Sequence, residues 1–224
     1  MDLQTLVLEP ARPAVASIVM LHGLGADGTD FLPLADELDL SALGPVRWVL
    51  PRAPVRPVTI NNGYRMRAWY DILATDLARR EDEAGLRASA AQVLELLDRE
   101  VAHGMPARRI VLAGFSQGAA ISLLAGLRCP QRLAGLAGLS GYLPLADAAL
   151  AEAHAAQRDV PVFLAHGRDD AVVSLERGQA ARQSLQAAGW PVQWQDYPME
   201  HTLCIEEVRH LQSWLLQVLA SPGP

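Results

Sequence analysis

The chain has 224 residues, half of them hydrophobic and 20% charged, with a formal net charge of -6. That length and balance predict one globular domain over 1–224, with a short tail at 220–224. The acidic excess and the absence of any basic run argue against binding nucleic acid through phosphate neutralisation, and disfavour anionic membrane surfaces.

The start, Met1-Asp2-Leu3-Gln4, lacks the basic region and apolar core of a secretory signal. No uninterrupted apolar run reaches the roughly 18 residues of a membrane span. Cys129 and Cys204 are too few for a disulfide framework and show no metal-ligand spacing, so reduced thiols in a cytoplasmic protein are expected.

In chain order, the first apolar run, Ser17–Leu21, predicts a strand, followed by the Gly-rich loop His22-Gly23-Leu24-Gly25-Ala26-Asp27-Gly28. This loop lacks the Lys-Ser/Thr that would follow in a phosphate-binding P-loop. A second strand is expected at Val46–Leu50. Residues 52–82 then break the rhythm; connections of that length are usually functional or disordered, and Tyr64, Trp69 and Tyr70 argue against disorder. Next comes an amphipathic helix over Leu86–His103, with Leu86, Ala90, Val93, Leu94, Leu97 and Val101 on one stripe and Gly104 as its stop. A strand at Ile110–Ala113 leads into a buried helical run, Ala119–Ala125. Strands at Leu133–Leu139, Val160–Ala165 and Val192–Tyr197 alternate with helices at Leu175–Ala188 and Ile205–Leu219, and the Ala-rich stretch 144–158 predicts a surface helix. Near-continuous apolar strands alternating with helices imply an open, mostly parallel sheet covered on both faces.

Between the strand at 110–113 and its helix stands Gly114-Phe115-Ser116-Gln117-Gly118. A G-x-S-x-G sequence joining a strand to a helix is a nucleophile elbow, in which a strained turn lifts one serine above the sheet. Ser116 is therefore the candidate nucleophile. It needs a base and an orienting acid, which in an α/β-hydrolase layout follow in the order serine, acid, histidine. Of the six histidines, His201 alone follows the last strand in a loop. His22 and His166 precede glycines at strand ends and are expected to hold turns; His103 and His154 lie in polar stretches, and His210 falls within the last helix. For the acid, Asp169 and Asp170 both follow the strand ending at Ala165, and spacing does not separate them. Asp147 is a weaker third candidate, and Glu200 would point away from its neighbour His201. The oxyanion donors expected are the N–H of Gln117, at a helix start, and that of Leu24 in the first loop.

The chain resembles the small carboxylesterases related to acyl-protein thioesterases and lysophospholipases over nearly its whole length. The resemblance rests on residues 22–28, Pro51-Arg52-Ala53-Pro54, Pro57-Val58-Thr59, Met66 with Trp69-Tyr70-Asp71-Ile72, residues 114–118, His166-Gly167 with Asp170 and Val173, and Tyr197 with His201. It implies an α/β-hydrolase fold without a large cap and a triad of Ser116, Asp170 and His201, with Leu24 and Gln117 as oxyanion donors. The acid is carried over as Asp170, four residues after His166. Where this family usually has glycine before the catalytic histidine, this chain has Glu200; residue 2 is aspartate, so the acylated cysteine of some relatives has no counterpart.

The expected activity is cofactor-free hydrolysis of short- to medium-chain acyl esters by a serine carboxylesterase. Lysophospholipase or acyl-protein thioesterase activity, an acyltransferase, and a non-catalytic binding module are the alternatives. Trp69 and Leu73 are expected to wall the acyl site, although Trp69 and Tyr70 would equally serve to pack the excursion onto the core. The partner expected is a small acyl ester, with no nucleic acid, no stable membrane anchor and a possible homodimer.

Overall fold

The computed structural model describes residues 3–74 and 81–220. The tail residues 221–224, the first two residues and part of the 52–82 excursion lie outside this description. The elements in chain order are β1 (Thr5–Leu8), β2 (Ala16–Leu21), α1 (Leu32–Glu37), β3 (Val46–Pro51), β4 (Val55–Val58), β5 (Tyr64–Arg67), α2 (Glu83–Ala102), β6 (Ile110–Phe115), α3 (Gln117–Arg128), β7 (Gly135–Leu139), α4 (Ala146–Ala151), β8 (Val162–Gly167), α5 (Leu175–Ala187), β9 (Val192–Tyr197) and α6 (Ile205–Ala220).

Seven strands form one sheet in the order β1-β3-β2-β6-β7-β8-β9. All neighbours run parallel except β1, which pairs antiparallel with β3 at the edge. The expected parallel sheet is present, and the antiparallel edge is an addition to it. The period-two geometry of strands divides the apolar residues between two faces. Val19 and Leu21 pack with Leu86, Val93 and Leu97 of α2, Ile121 of α3 and Leu185 of α5. Ile18 and Met20 pack on the other side with Phe31, Leu34 of α1, and Leu211 and Trp214 of α6.

The helix over 83–102 forms where its stripe predicts, and Leu96 joins the buried set. Its start is fixed by Asp82, whose Oδ1 accepts the Gly85 N–H at 2.9 Å, a cap that stabilises by about 1 kcal/mol. The stretch 144–158 departs from expectation. It holds the short α4 and a 3-10 turn at Ala155–Gln157, with Ala149 and Gln157 buried. The 52–82 excursion also contains structure that its composition did not signal, since β4 and β5 form a separate antiparallel hairpin.

The fold positions the site through one topological feature. The chain leaves β2 for β3 on one side and later returns to β6 on the other, so the carboxyl ends of β2 and β6 flank a switch point, the usual seat of ligands in open α/β sheets. The loop at 22–28 and Ser116 both emerge there, while β8 and β9 deliver their own loops along the same edge.

Candidate active site

Ser116 occupies the turn between β6 and α3 with φ 57° and ψ −120°, a conformation that costs a non-glycine residue roughly 1–3 kcal/mol. The surroundings hold it there. Its N–H donates to Leu139 O at 2.9 Å. Gly118 lets α3 start directly over β2, since a Cβ there would sit 2.1 Å from the Leu21 carbonyl oxygen.

The base and acid come from two loops bonded to each other. Arg168 N–H donates to Tyr197 O (2.8 Å) and Asp169 N–H to Met199 O (3.1 Å), so the segment after β8 continues pairing with the segment after β9. Gly167 permits this approach, because a Cβ at that position would lie 2.3 Å from Met199 O. Asp170 then turns inward. Its Oδ1 accepts the Val172 and Val173 N–H groups at 2.9 and 2.8 Å, and its Oδ2 accepts from His201 Nδ1 at 2.6 Å. His201 Nε2 lies 2.9 Å from Ser116 Oγ. With Nδ1–H committed to a carboxylate, Nε2 faces the serine as an acceptor. The Phe115 ring lies 4.8 Å from the His201 ring and flanks it.

The structure therefore brings Ser116, His201 and Asp170 into one hydrogen-bonded chain and leaves the other candidates apart. Asp169, Asp147 and Glu200 are exposed. His103 and His154 are exposed as well, and His210 bonds the Tyr197 hydroxyl at 2.9 Å. His22 and His166 hold turns. His22 Nδ1 bonds Gly23 O (2.7 Å), its Nε2 accepts the Ala53 N–H (3.0 Å), and His166 Nε2 bonds Val173 O (2.8 Å). Burial lowers the pKa of both, which favours the neutral rings these bonds require.

Leu24 lines a cavity of about 500 Å³ together with Ser116 and His201. Its remaining walls include Phe31, Phe115, Val172 and Leu203. Gln117 opens α3 directly after the serine, and its side chain clamps the excursion: Oε1 accepts Trp69 N–H (3.0 Å) and Nε2 donates to Tyr70 O (2.9 Å).

The acyl wall is where expectation needs correction. Trp69 is fully buried and its Nε1–H donates to His22 O at 2.8 Å, so it supports the first loop from beneath instead of lining the cavity. Leu73 is half-buried and is also not among the lining residues. The packing role weighed for Trp69 and Tyr70 is the one their burial fits. Phe31 and Leu203 carried no motif signal, whereas Phe115 could have been found as the residue preceding the nucleophile.

Among the described residues no group of three or more His, Cys, Asp or Glu is placed to hold a metal ion, and no helix is long and apolar enough to cross a membrane. Cys129 is buried and Cys204 half-buried, both as free thiols.

Comparison with known proteins gives a consistent answer. Residues 3–219 match the family model described as phospholipase/carboxylesterase. The acyl-protein thioesterase 1 of Mycosarcoma maydis is 40% identical, over 97% of this chain and 98% of that protein. The acyl-protein thioesterase 1 of Cryptococcus neoformans is 37% identical over the same shares. The crystal structure of acyl-protein thioesterase 2 from Zea mays superposes with a TM-score of 0.85 at 32% identity, covering 96% of this chain and 99% of that one.

Proposed function

The chain belongs to the phospholipase/carboxylesterase family, a serine hydrolase acting on esters, and from that premise we propose that it hydrolyses short- to medium-chain acyl esters through Ser116, His201 and Asp170. The observation that carries this reading is the unbroken hydrogen-bond chain from Ser116 Oγ through His201 to Asp170, at 2.9 and 2.6 Å, opening on a largely apolar cavity.

In this reading Ser116 Oγ attacks the acyl carbonyl carbon as His201 Nε2 takes its proton. The Leu24 and Gln117 N–H groups donate to the oxyanion, and the helix start at Gln117 adds its positive dipole end. The imidazolium returns the proton to the departing oxygen or sulfur, leaving an acyl-enzyme. Water, deprotonated by the same nitrogen, then releases the carboxylic acid and restores the serine. Asp170 keeps Nδ1 protonated and stabilises the imidazolium, while its two backbone donors hold it in place.

The second reading is an acyl-protein thioesterase, favoured by the names of the fungal relatives. The experiment that separates the two is kcat/KM on p-nitrophenyl esters from acetate to palmitate, with Ser116→Ala as control. A maximum at short or medium chains that disappears in the variant supports the carboxylesterase. A rise toward long chains shifts the assignment to acylated proteins or lysophospholipids, and turnover surviving Ser116→Ala contradicts both.

A further inference from the structure

Asp30 lines the same cavity as Ser116 and His201. Apart from His201, it is the only ionisable side chain among the described lining residues, the others being apolar or hydroxyl-bearing. Beyond the mild dipole benefit of an acidic residue in a first helical turn, it has no structural task among the described residues. It belongs to the 3-10 turn Thr29–Phe31, whose start at Gly28 receives no side-chain cap, and the N-cap of α1, Phe31, makes none either. Its carboxyl has no ion-pair or hydrogen-bond partner among the described residues. Asp27 accepts from Thr29 and stands 3.9 Å from Arg52, while Arg67 Nη1 donates to Ala53 O at 2.9 Å. His22, whose charge would oppose that of Asp30, is held toward neutrality by burial.

Phe31 is buried at 5% exposure, while Asp30 beside it is exposed. The cavity thus combines apolar walls, suited to an acyl chain, with one solvent-exposed carboxylate, suited to a positively charged leaving group. An uncompensated negative charge there attracts a cation and repels an anion, and the chain's net charge of -6 acts in the same sense.

We infer that Asp30 is a specificity residue that selects acyl esters whose leaving group carries a positive charge. This rests on the esterase reading above. Because the site is open to solvent, the selection is modest, about two- to fivefold at low salt.

The test compares kcat/KM for butyrylcholine with that for 3,3-dimethylbutyl butyrate, its neutral isostere with carbon in place of nitrogen. The ratio is measured in the wild type, Asp30→Asn and Asp30→Glu, at low salt and at about 0.5 M salt. Taking the ratio cancels any general loss of activity in a variant. The expected result is a ratio that favours the choline ester in the wild type and Asp30→Glu and falls two- to fivefold in Asp30→Asn. High salt should lower it more in the wild type than in Asp30→Asn, where only the chain's remaining net negative charge is screened. An equal ratio in wild type and Asp30→Asn would overturn the inference. The esterase reading fails on a different observation, turnover of the neutral ester that persists in Ser116→Ala.

Discussion

Among the described residues, two enclosed carboxyl groups meet opposite surroundings. The side chain of Asp170, in the loop after β8, has no exposed surface, and its oxygens accept three hydrogen bonds, from Val172 N–H, Val173 N–H and His201. Glu207, in the first turn of α6, is equally buried, and neither of its oxygens has a partner. A buried carboxylate is costly unless it is hydrogen-bonded or paired. The loop after β8 is thus built around a negative charge, whereas the first turn of α6 favours the neutral acid. Burial accordingly raises the Glu207 carboxyl to about 8. The same side chain helps raise the Tyr197 hydroxyl, for which burial is the larger cause. Burial alone therefore does not mark a functional carboxyl; the donors arranged around it do.

The largest predicted effect comes from removing the charge for which the β8 loop is arranged. Asp170→Asn should lower kcat by roughly 10⁴-fold with the fold intact, as a triad acid loses control of the histidine tautomer. Single-turnover kinetics on a variant whose circular-dichroism spectrum matches the wild type would check it. A loss of tenfold or less would mean that Asp170 does not orient His201 in the way proposed.

Glu207 should show its difference in stability instead. Its folded pKa of about 8 lies above the ordinary value of 4.5, so the native state holds the proton more tightly. Its contribution to stability is complete below about pH 4.5 and is lost as pH rises to about 8. Between pH 5 and pH 8 that loss is on the order of 3 kcal/mol. Glu207→Gln, which cannot ionise, should flatten this part of the profile in urea titrations at the two pH values. Parallel profiles for wild type and variant would remove the contrast between the two carboxyls.

Much of the site was legible because its chemistry imposes local residue patterns. The elbow at 114–118 needs glycine where α3 crosses β2, and His201 was identified by its place after the last strand. The choice between Asp169 and Asp170 was not legible from spacing alone. It depends on which carboxyl meets the Val172 and Val173 N–H groups, a property of the turn that the family resemblance supplied and spacing did not. β1 was missed because its four residues are only half-buried and carry little apolar signal, and α1 because six residues span too few turns to show a helical period. Trp69 looked like a cavity wall because aromatics in a long connection commonly line sites. Its indole N–H is instead spent on the His22 carbonyl, and the ring is buried outside the cavity it was expected to wall. Glu207 gave no signal at all, since an acidic residue in a first helical turn ordinarily faces solvent and favours the helix dipole.

The central claim is that Ser116 is a nucleophile activated through His201 and Asp170. It is tested most directly by intact-mass analysis after treatment with a fluorophosphonate. One adduct per chain is expected, located on Ser116, absent in Ser116→Ala and formed much more slowly in Asp170→Asn. No adduct on the wild-type chain, or one that persists in Ser116→Ala, would contradict it.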